Sequence, residues 1–339
     1  MIRTKRAKRR SVQPASTTAV RRVGDSRILV VGVDGGGTKT HAVLLDVEGR
    51  VLGEGYAGAS NPLRVGVQPA VTSIREAVDK ACDPVRASRA EIVAAEVGLA
   101  GARRLDIRAS VRRALVHSLG IRRIEVVTDA DIALYGATAG EPGMVVIAGT
   151  GSICCGLNKR NVRACMGGWG PVAGDEGSGS WIARRALQAV AHAADGRGAE
   201  TRLVRAACDY FRVAKPYDLL VALYAPSMTN SRIAGFSRHV VEEAKRLDPV
   251  ARRIINDAGL ELGEMAAALV RRLNMQREHF SLATVGGVYA AGALVLSPMK
   301  KAVRRVAPHA RFTQPLMPPA VAAAHMARER LVQRLPLAS

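Results

Sequence analysis

Two glycine-rich turns contain the residue types that bind an anion. Each follows a short apolar strand, at residues 28–33 in the first half of the chain and 145–148 in the second, and each leads into a further strand. Because glycine has no side chain, its backbone N–H groups can approach phosphate oxygens closely. This repeat predicts two related domains with a nucleotide between them. The candidate phosphate-binding residues are Gly36, Gly37, Thr38, Gly149, Thr150 and Gly151.

Carboxylates follow the strands in both halves. Asp129 comes directly after the apolar strand 124–127, where open α/β sheets place ligands. Thr128 or Asp129 could also cap the helix that follows, and the two roles are compatible. Asp131 either points away from this position on the helix, or binds a metal, or raises the pKa of its neighbour. In the second half, Asp175 and Glu176 lie between glycines at the start of a helix.

Hydrophobic periodicity indicates the elements that position these residues. Strands at 28–33, 41–46 and 51–56 form a meander, and apolar stripes after Trp181 and within 249–275 indicate core helices. Gly286 and Gly287 follow another strand, where they could admit an adenine ring or simply close a bend. Asn61 precedes Pro62 and is either a turn residue or a ligand contact.

Composition limits the class of protein. The chain has 339 residues, of which 48% are hydrophobic and 23% charged, as in a soluble globular protein with two domains. No apolar run reaches the ~18 residues of a membrane span. The five cysteines show no C-x-x-C spacing, so we expect neither a disulfide framework nor a zinc site, and we predict a cytoplasmic location.

The formal net charge of +21 comes in part from the N-terminal segment. Residues 1–27 contain nine Arg or Lys and one acidic residue. We interpret this segment as a basic, disordered tail, with a targeting segment or a misassigned start codon as alternatives. Nucleic-acid contact through the tail is not favoured, because Phe, Trp and Tyr make up only 4% of the chain and leave few side chains to stack on bases.

Two common nucleotide-binding motifs do not fit the sequence. Residues 32–38 approach a Walker A loop, but Thr38 stands where its lysine belongs and the turn leads into a strand. No G-x-G-x-x-G segment joins a strand to a helix, which disfavours a Rossmann site. The glycine turns therefore require another architecture.

Six motifs occur in the order seen in the N-acetylglucosamine kinase and BadF/BadG/BcrA/BcrD ATPase family, which residues 28 to about 330 resemble. The motifs are Asp34-Gly-Gly-Gly-Thr-Lys-Thr40, Thr128-Asp129-Ala130, Ala148-Gly-Thr-Gly-Ser152, Gly168-Trp-Gly170, Gly174-Asp-Glu-Gly-Ser178 and Gly286-Gly287. The resemblance implies an α/β fold of two duplicated actin-like ATPase (ribonuclease H-like) domains with a nucleotide cleft between them. We predict these domains at 28–141 and 142–319, with a terminal helix at about 320–335 packing on the first.

The resemblance also implies a role for each matching residue. Asp129 resembles the family's catalytic base, and Asp34 the residue that positions Mg²⁺. Thr38 and Thr150, with their glycines, resemble the phosphate-binding turns, and Gly286 and Gly287 the adenosine turn. The implied sugar contacts are Asn61, Asp129, Ser152, Gly168, Trp169, Gly170 and Asp175.

Three hypotheses follow. The leading one is a kinase that uses ATP and Mg²⁺ to phosphorylate a hexose or amino sugar (N-acetylglucosamine, glucosamine or glucose) and forms a homodimer. The second is an ATPase activator of a 2-hydroxyacyl-CoA dehydratase or benzoyl-CoA reductase, which needs cysteines for an iron–sulfur cluster between subunits; Cys154 and Cys155 resemble strand residues instead. The third is a non-catalytic regulator whose basic tail binds nucleic acid.

Overall fold

A computed structural model of the chain describes residues 22–23 and 26–333, which form two α/β halves. The first half contains β1 (Arg22–Val23), β2 (Ser26–Arg27), β3 (Leu29–Gly35), β4 (Thr40–Asp46), β5 (Val51–Ala57), α1 (Pro62–Val65), α2 (Val67–Cys82), β6 (Ile92–Leu99), α3 (Leu105–Leu119), β7 (Arg123–Thr128) and α4 (Asp129–Thr138).

The second half is richer in helices. It contains β8 (Gly143–Ala148), β9 (Ser152–Leu157), β10 (Arg163–Gly167), α5 (Gly170–Ala173), α6 (Gly179–Ala194), α7 (Leu203–Phe211), α8 (Leu219–Leu223), α9 (Asn230–Gly235), α10 (Ser237–Lys245), α11 (Pro249–Arg272), β11 (Phe280–Val285), α12 (Ala293–Arg304), β12 (Ala310–Thr313) and α13 (Pro319–Gln333). Short 3-10 helices lie at Asp83–Val85, Arg89–Glu91, Pro216–Asp218 and Gly287–Ala291.

The two five-stranded sheets have the same topology, with strand orders β5-β4-β3-β6-β7 and β10-β9-β8-β11-β12. In each sheet, the first three strands in sequence form an antiparallel meander, and the last two run parallel to the first. Parallel strands end at the same edge of a sheet, so the loops after β3, β6 and β7 lie together, as do those after β8 and β11. This is the duplicated architecture expected from the repeated glycine turns.

Each sheet has its own apolar core, and the last helix of the chain returns to the first sheet. Helices α2 and α3 cover one face of the first sheet, and α13 covers the other through Ala320, Ala324 and Ala327. Helix α13 lies close to the strand because β3 has a glycine, Gly32, directly beneath it. A Cβ atom at Gly32 would lie 2.0 Å from the backbone nitrogen of Ala324.

Helix α4 connects the two halves. It follows β7 in the first sheet, but its apolar side chains Ala130, Leu134 and Ala137 pack against Val145 and Ala283 of the second sheet. The N-terminus of this helix is Asp129, so the packing of α4 holds that carboxylate between the halves.

A disulfide between Cys155 and Cys165 corrects the expectation that the chain has none. The two cysteines are ten positions apart, a spacing that matches no cysteine motif. The antiparallel pairing of β9 with β10 places them directly opposite each other, with Cα atoms 4.1 Å apart. Within the described ranges, no group of three or more His, Cys, Asp or Glu side chains is placed to hold a metal ion.

Most of the predicted basic tail lies outside the described residues. At its end, the Arg27 guanidinium forms an ion pair with Glu91, with 2.8 Å between Nε and Oε1. None of the helices between residues 26 and 333 is long and apolar enough to cross a membrane.

Candidate active site

The first glycine turn joins β3 to β4 and is held in place by the loop after β5. The carbonyl oxygen of Gly36 accepts hydrogen bonds from the N–H groups of Ser60 (3.0 Å) and Asn61 (3.1 Å). The N–H of Gly36 donates to the carbonyl of Lys39 at 2.9 Å. With this backbone fixed, the side chain of Thr38 is exposed at the tip of the turn.

Asp34 and Asp129 lie at the carboxyl ends of β3 and β7, two strands separated by β6. Burial, and after it the negative charge of Asp129, raises the pKa of Asp34 to about 6. Burial also raises the pKa of Asp129, although the N–H of Ala130 donates to its Oδ1 at 2.9 Å and opposes the shift. Asp129 is surrounded by protein on most sides but still exposed to solvent through the cleft. The two carboxylates therefore form one acidic site.

Asp131 points away from this acidic site, as the helical alternative in the sequence analysis required. Its Oδ2 accepts hydrogen bonds from the backbone nitrogen (2.7 Å) and hydroxyl (2.6 Å) of Thr128, which completes the capping box of α4. Asp131 also forms an ion pair with Arg163 of β10, although its side chain is only about 4% exposed. Asp131 thus links the helix that begins at Asp129 to the second sheet.

The second glycine turn, residues 149–151, joins β8 to β9 and rests on the N-terminus of α6. The N–H groups of Gly179 and Ser180 donate to the carbonyls of Gly149 (2.8 Å) and Thr150 (3.1 Å). These bonds fix the carbonyl groups of the turn and leave the side chain of Thr150 exposed. The turn is therefore rigid and open on one side, as an anion-binding loop must be.

Gly286 approaches the second turn closely. Its φ is +121°, and a Cβ atom there would lie 2.2 Å from the carbonyl oxygen of Ala148, so only glycine is accommodated. A cavity of about 440 Å³ opens beside this contact, in the size range of small-molecule sites. Its walls come from the second turn, from Gly287 and Val288, and from α9 and α10, which contribute Ser231, Gly235, Ser237, Arg238, Val241, Glu242 and Lys245.

The predicted sugar contacts Ser152 and Asp175 meet at the second turn. The N–H of Ser152 donates to the Asp175 carboxylate at 3.3 Å, and its hydroxyl donates to the carbonyl of Glu176 at 2.7 Å. Burial raises the pKa of Asp175, while the N–H groups of Ser152 and Gly170 lower it. The N–H of Gly168 donates to the carbonyl oxygen of Ser152 at 2.9 Å. The segments that begin at Gly168 and Gly174 therefore both contact Ser152.

Trp169 and Asn61 lie on opposite sides of the cleft. The Trp169 side chain is 70% exposed, and the guanidinium of Arg103, from the first half, lies 5.2 Å from its ring centroid. Asn61 caps α1, with its Oδ1 accepting the N–H of Leu63 at 3.0 Å, as the turn interpretation predicted. Among the hydrogen bonds between described residues, the Nδ2 of Asn61 has no acceptor, which leaves this group available to a ligand.

Sequence reasoning missed the residues that reach across the cleft from outside the motifs. Arg103 contacts Trp169, Arg163 contacts Asp131, and the Nη1 of Arg64 donates to Ser231 Oγ at 3.2 Å. It also missed α9 and α10 as walls of the cavity. The partners of these residues are up to 167 positions away, and no local pattern marks such pairs.

This chain is similar to several known proteins. An N-acetylmuramic acid/N-acetylglucosamine kinase of Clostridium acetobutylicum is 36% identical over 260 residues, which cover 76% of this chain and 85% of that protein. An N-acetyl-D-glucosamine kinase of Dictyostelium discoideum is 28% identical, with 89% of this chain and 98% of that protein covered. A crystal structure of a candidate N-acetylglucosamine kinase from Chromobacterium violaceum superposes with a TM-score of 0.73 and 28% identity, covering 89% and 99% of the two chains.

The family assignment follows from a match over nearly the whole chain. The sequence profile of the BadF/BadG/BcrA/BcrD ATPase family matches residues 31–327, which include both glycine turns, the two carboxylates and the first part of α13. The two sheets of identical topology are the duplicated actin-like fold expected from the motifs. The chain therefore belongs to the BadF/BadG/BcrA/BcrD ATPase family.

Proposed function

We propose that this ATP-dependent carbohydrate kinase transfers the γ-phosphate of Mg-ATP to a hydroxyl group of a hexose or amino sugar, with N-acetylglucosamine, glucosamine and glucose as candidates. The observation that carries the proposal is Asp129, a solvent-exposed carboxylate at the start of α4, between the two halves and beside Asp34. The names of the two curated relatives, both kinases of amino sugars, support the acceptor class.

Phosphoryl transfer requires positioning and charge neutralisation more than covalent chemistry from the protein. Asp129 would accept the proton of the sugar hydroxyl as the oxygen attacks the γ-phosphate. Burial raises the pKa of this carboxylate, which makes it a stronger base for the proton of the hydroxyl group. The N–H groups of Gly37, Thr38, Thr150 and Gly151 would stabilise the phosphate charge, whereas those of Gly36 and Gly149 donate to carbonyl groups within their own turns.

Asp34 fits the expected role of holding Mg²⁺. Its carboxylate is half-buried and has neither an ion pair nor a hydrogen bond with any other described residue. A cation beside Asp34 would favour its ionised form. It would so offset the effects of burial and of repulsion from Asp129, both of which raise the pKa of Asp34. We infer that Asp34 would hold Mg²⁺, which would supply positive charge to neutralise the phosphates.

The sugar would lie between Asn61 on one side and Asp175, Ser152 and the Gly168-Trp169-Gly170 segment on the other. A sugar has many hydroxyl groups and no charge, so it is selected by directed hydrogen bonds to carboxylate and amide groups. The free Nδ2 of Asn61 and the carboxylate of Asp175 supply a donor and an acceptor of this kind. The exposed indole of Trp169 adds an apolar surface.

The activator alternative is disfavoured by the cysteines. Cys154 is fully buried, and Cys155 is buried and bonded to Cys165, so neither faces outward to share a cluster with a second subunit. A homodimer and a cytoplasmic location stay predictions. The cytoplasmic location was predicted because no disulfide framework was expected, and the disulfide removes that argument. The use of ATP as a substrate is the argument that remains. Nucleic-acid contact through the tail stays disfavoured.

The proposal is tested by coupled ADP release with Mg-ATP across a panel of free sugars. We expect turnover with at least one amino sugar or hexose. Asp129→Asn keeps the size of the side chain but removes the base, so we expect kcat to fall about 100- to 10,000-fold while the ATP affinity stays within about threefold. Asp83→Asn, an exposed aspartate after α2, is the control and should match the wild type.

Equal turnover of the Asp129→Asn and wild-type enzymes would remove Asp129 from the role of base. If no sugar stimulates the release of ADP, and the anaerobically purified protein has the colour of an iron–sulfur cluster, the chain belongs functionally with the activators.

A further inference from the structure

Arg64 is a cation at the phosphate end of the cleft that no family motif includes. It lies in the short helix α1, which follows the Asn61 cap and is attached to the first glycine turn through the hydrogen bonds of Ser60 and Asn61 to Gly36. The position of α1 relative to that turn is therefore fixed. Its side chain is exposed.

The guanidinium of Arg64 lies directly over the first turn. A Cβ atom added to Gly37 would be 2.9 Å from Arg64 Nη1 and 3.4 Å from Cδ. Gly37 thus makes room for the arginine, in addition to its expected role toward phosphate. No carboxylate within residues 26–333 forms an ion pair with Arg64, so its charge is not neutralised by the protein.

The same guanidinium reaches the nucleotide side of the cleft. Nη1 donates to the hydroxyl of Ser231 at 3.2 Å, and Ser231 lines the 440 Å³ cavity together with Thr150 and Gly287. Arg64 therefore lies between the first turn and the cavity that joins the second turn, on the path that a polyphosphate would follow from one to the other.

We propose that Arg64 binds the polyphosphate of the nucleotide and, because it extends from the first half to the second, couples phosphate binding to closure of the cleft. The inference rests on the proposed function. A guanidinium offers planar N–H donors that match phosphate oxygens, whereas the amides of the two turns are neutral and the exposed Lys39 of the first turn is a point charge. The alternative is a structural latch, in which the bond to Ser231 is the whole role of Arg64.

The test is calorimetric binding of ATP, ADP and adenosine, without sugar, to the full chain. We expect Arg64→Ala to weaken ATP and ADP binding about 10- to 100-fold, the range of a lost charge-assisted hydrogen bond, and to leave adenosine within about twofold. Arg64→Lys keeps the charge and should recover part of the loss. Ser231→Ala removes the latch and keeps the guanidinium, so any change in affinity should be the same for ATP, ADP and adenosine, without the selective loss of the two phosphate-bearing ligands expected for Arg64→Ala. Arg113→Ala, an exposed arginine on α3, is the control.

Different results identify which statement fails. If Arg64→Ala and Ser231→Ala weaken all three ligands equally, Arg64 is a latch and the inference is wrong. If Arg64→Ala binds ATP as the wild type does, the inference fails while the proposed kinase function stands. If the wild type binds no ATP, both fail. Circular dichroism checks that each variant is folded. If Arg64→Ala is not folded, the affinities of Arg64→Lys for the three ligands test the inference instead.

Discussion

At the scale of single residues, Asp34 and Asp129 together determine how the reaction should depend on pH. Each carboxylate acts only when it has lost its proton, Asp34 to hold a cation and Asp129 to accept a proton. Burial raises the pKa of both above the ordinary range of an aspartate, that of Asp34 to about 6. A raised pKa means that protons compete for these groups at a higher pH than usual.

We therefore expect kcat/KM for the sugar to fall as the pH decreases through about 6, the pKa of Asp34, and protonation of Asp129 should lower it in the same direction. Because Mg²⁺ competes with the proton at Asp34, a higher Mg²⁺ concentration should shift this acidic limb to lower pH. The measurement is the coupled assay between pH 5 and 8.5 at two Mg²⁺ concentrations, with circular dichroism at pH 5 as the control for folding. An acidic limb near pH 4 whose position does not change with the Mg²⁺ concentration would contradict the roles assigned to Asp34 and Asp129.

Residues whose partners are close in sequence were predictable. Thr128 and Asp131 cap α4, and Asn61 caps α1, because both are local patterns of a polar side chain and a backbone N–H two or three positions away. Arg163 could not be assigned in this way. It lies on a half-exposed strand, and only the packing of α4 against the second sheet brings Asp131 to it.

At the scale of elements, the contact of α13 with β3 shows why β3 contains a glycine at position 32. Gly32 lies under the helix backbone, with the Ala324 nitrogen and the Ala320 carbonyl oxygen in the space of a side chain. The backbone of a packed helix cannot give way as a flexible side chain can, so the whole helix would have to move. The apolar run around Gly32 predicted the strand, but the identity of the covering helix depends on the tertiary fold.

Gly32→Ala should therefore destabilise the protein by about 3 kcal/mol or more, because α13 loses its close packing on the first sheet. Urea unfolding followed by circular dichroism measures the effect. Gly58→Ala is the matched control, because a Cβ atom there meets only the Ser73 hydroxyl oxygen at 3.7 Å and φ is not positive. If both variants unfold at the wild-type urea concentration, the packing of α13 on Gly32 is not as described.

The strands and long helices of the sequence analysis were predictable because their apolar patterns are regular. The stripe after Trp181 belongs to α6, and that within 249–275 belongs to α11. By contrast, β10 has no buried residue that would mark it as a strand, and α8 and α9 have five and six residues, too few for a helical period to emerge. The wall of the cavity formed by α9 was thus one part of the site that the sequence did not indicate.

At the scale of the whole molecule, three arginine side chains among residues 26–333 contact the opposite half around the cleft. Arg64 reaches Ser231, Arg103 lies over Trp169, and Arg163 pairs with Asp131. The first two contacts lie at exposed side chains, where a change in the angle between the halves would break them. The third is nearly buried beside α4, where the halves are packed together. From this distribution we expect the hinge of a closing motion to lie near α4 and the moving edge near Trp169.

Closure of the cleft on a sugar should then be visible in the fluorescence of Trp169. The chain has two tryptophans, and Trp169 is 70% exposed, whereas Trp181 packs against the core of the second half. Burying the indole against a sugar and the first half removes water from it, so we expect a blue shift of the emission when the substrate sugar is added. The shift should be larger with a non-hydrolysable ATP analogue, because excluding water protects the nucleotide until both ligands are bound.

Two single-tryptophan variants assign the signal. In Trp181→Phe the emission comes from Trp169 alone, and the shift should persist with the same dependence on sugar concentration. In Trp169→Phe the shift should disappear, because Trp181 keeps its surroundings when the halves move as rigid bodies. A shift that survives in Trp169→Phe would mean that binding rearranges the core of the second half around α6, and that closure between rigid halves is the wrong description of how this enzyme surrounds its substrate.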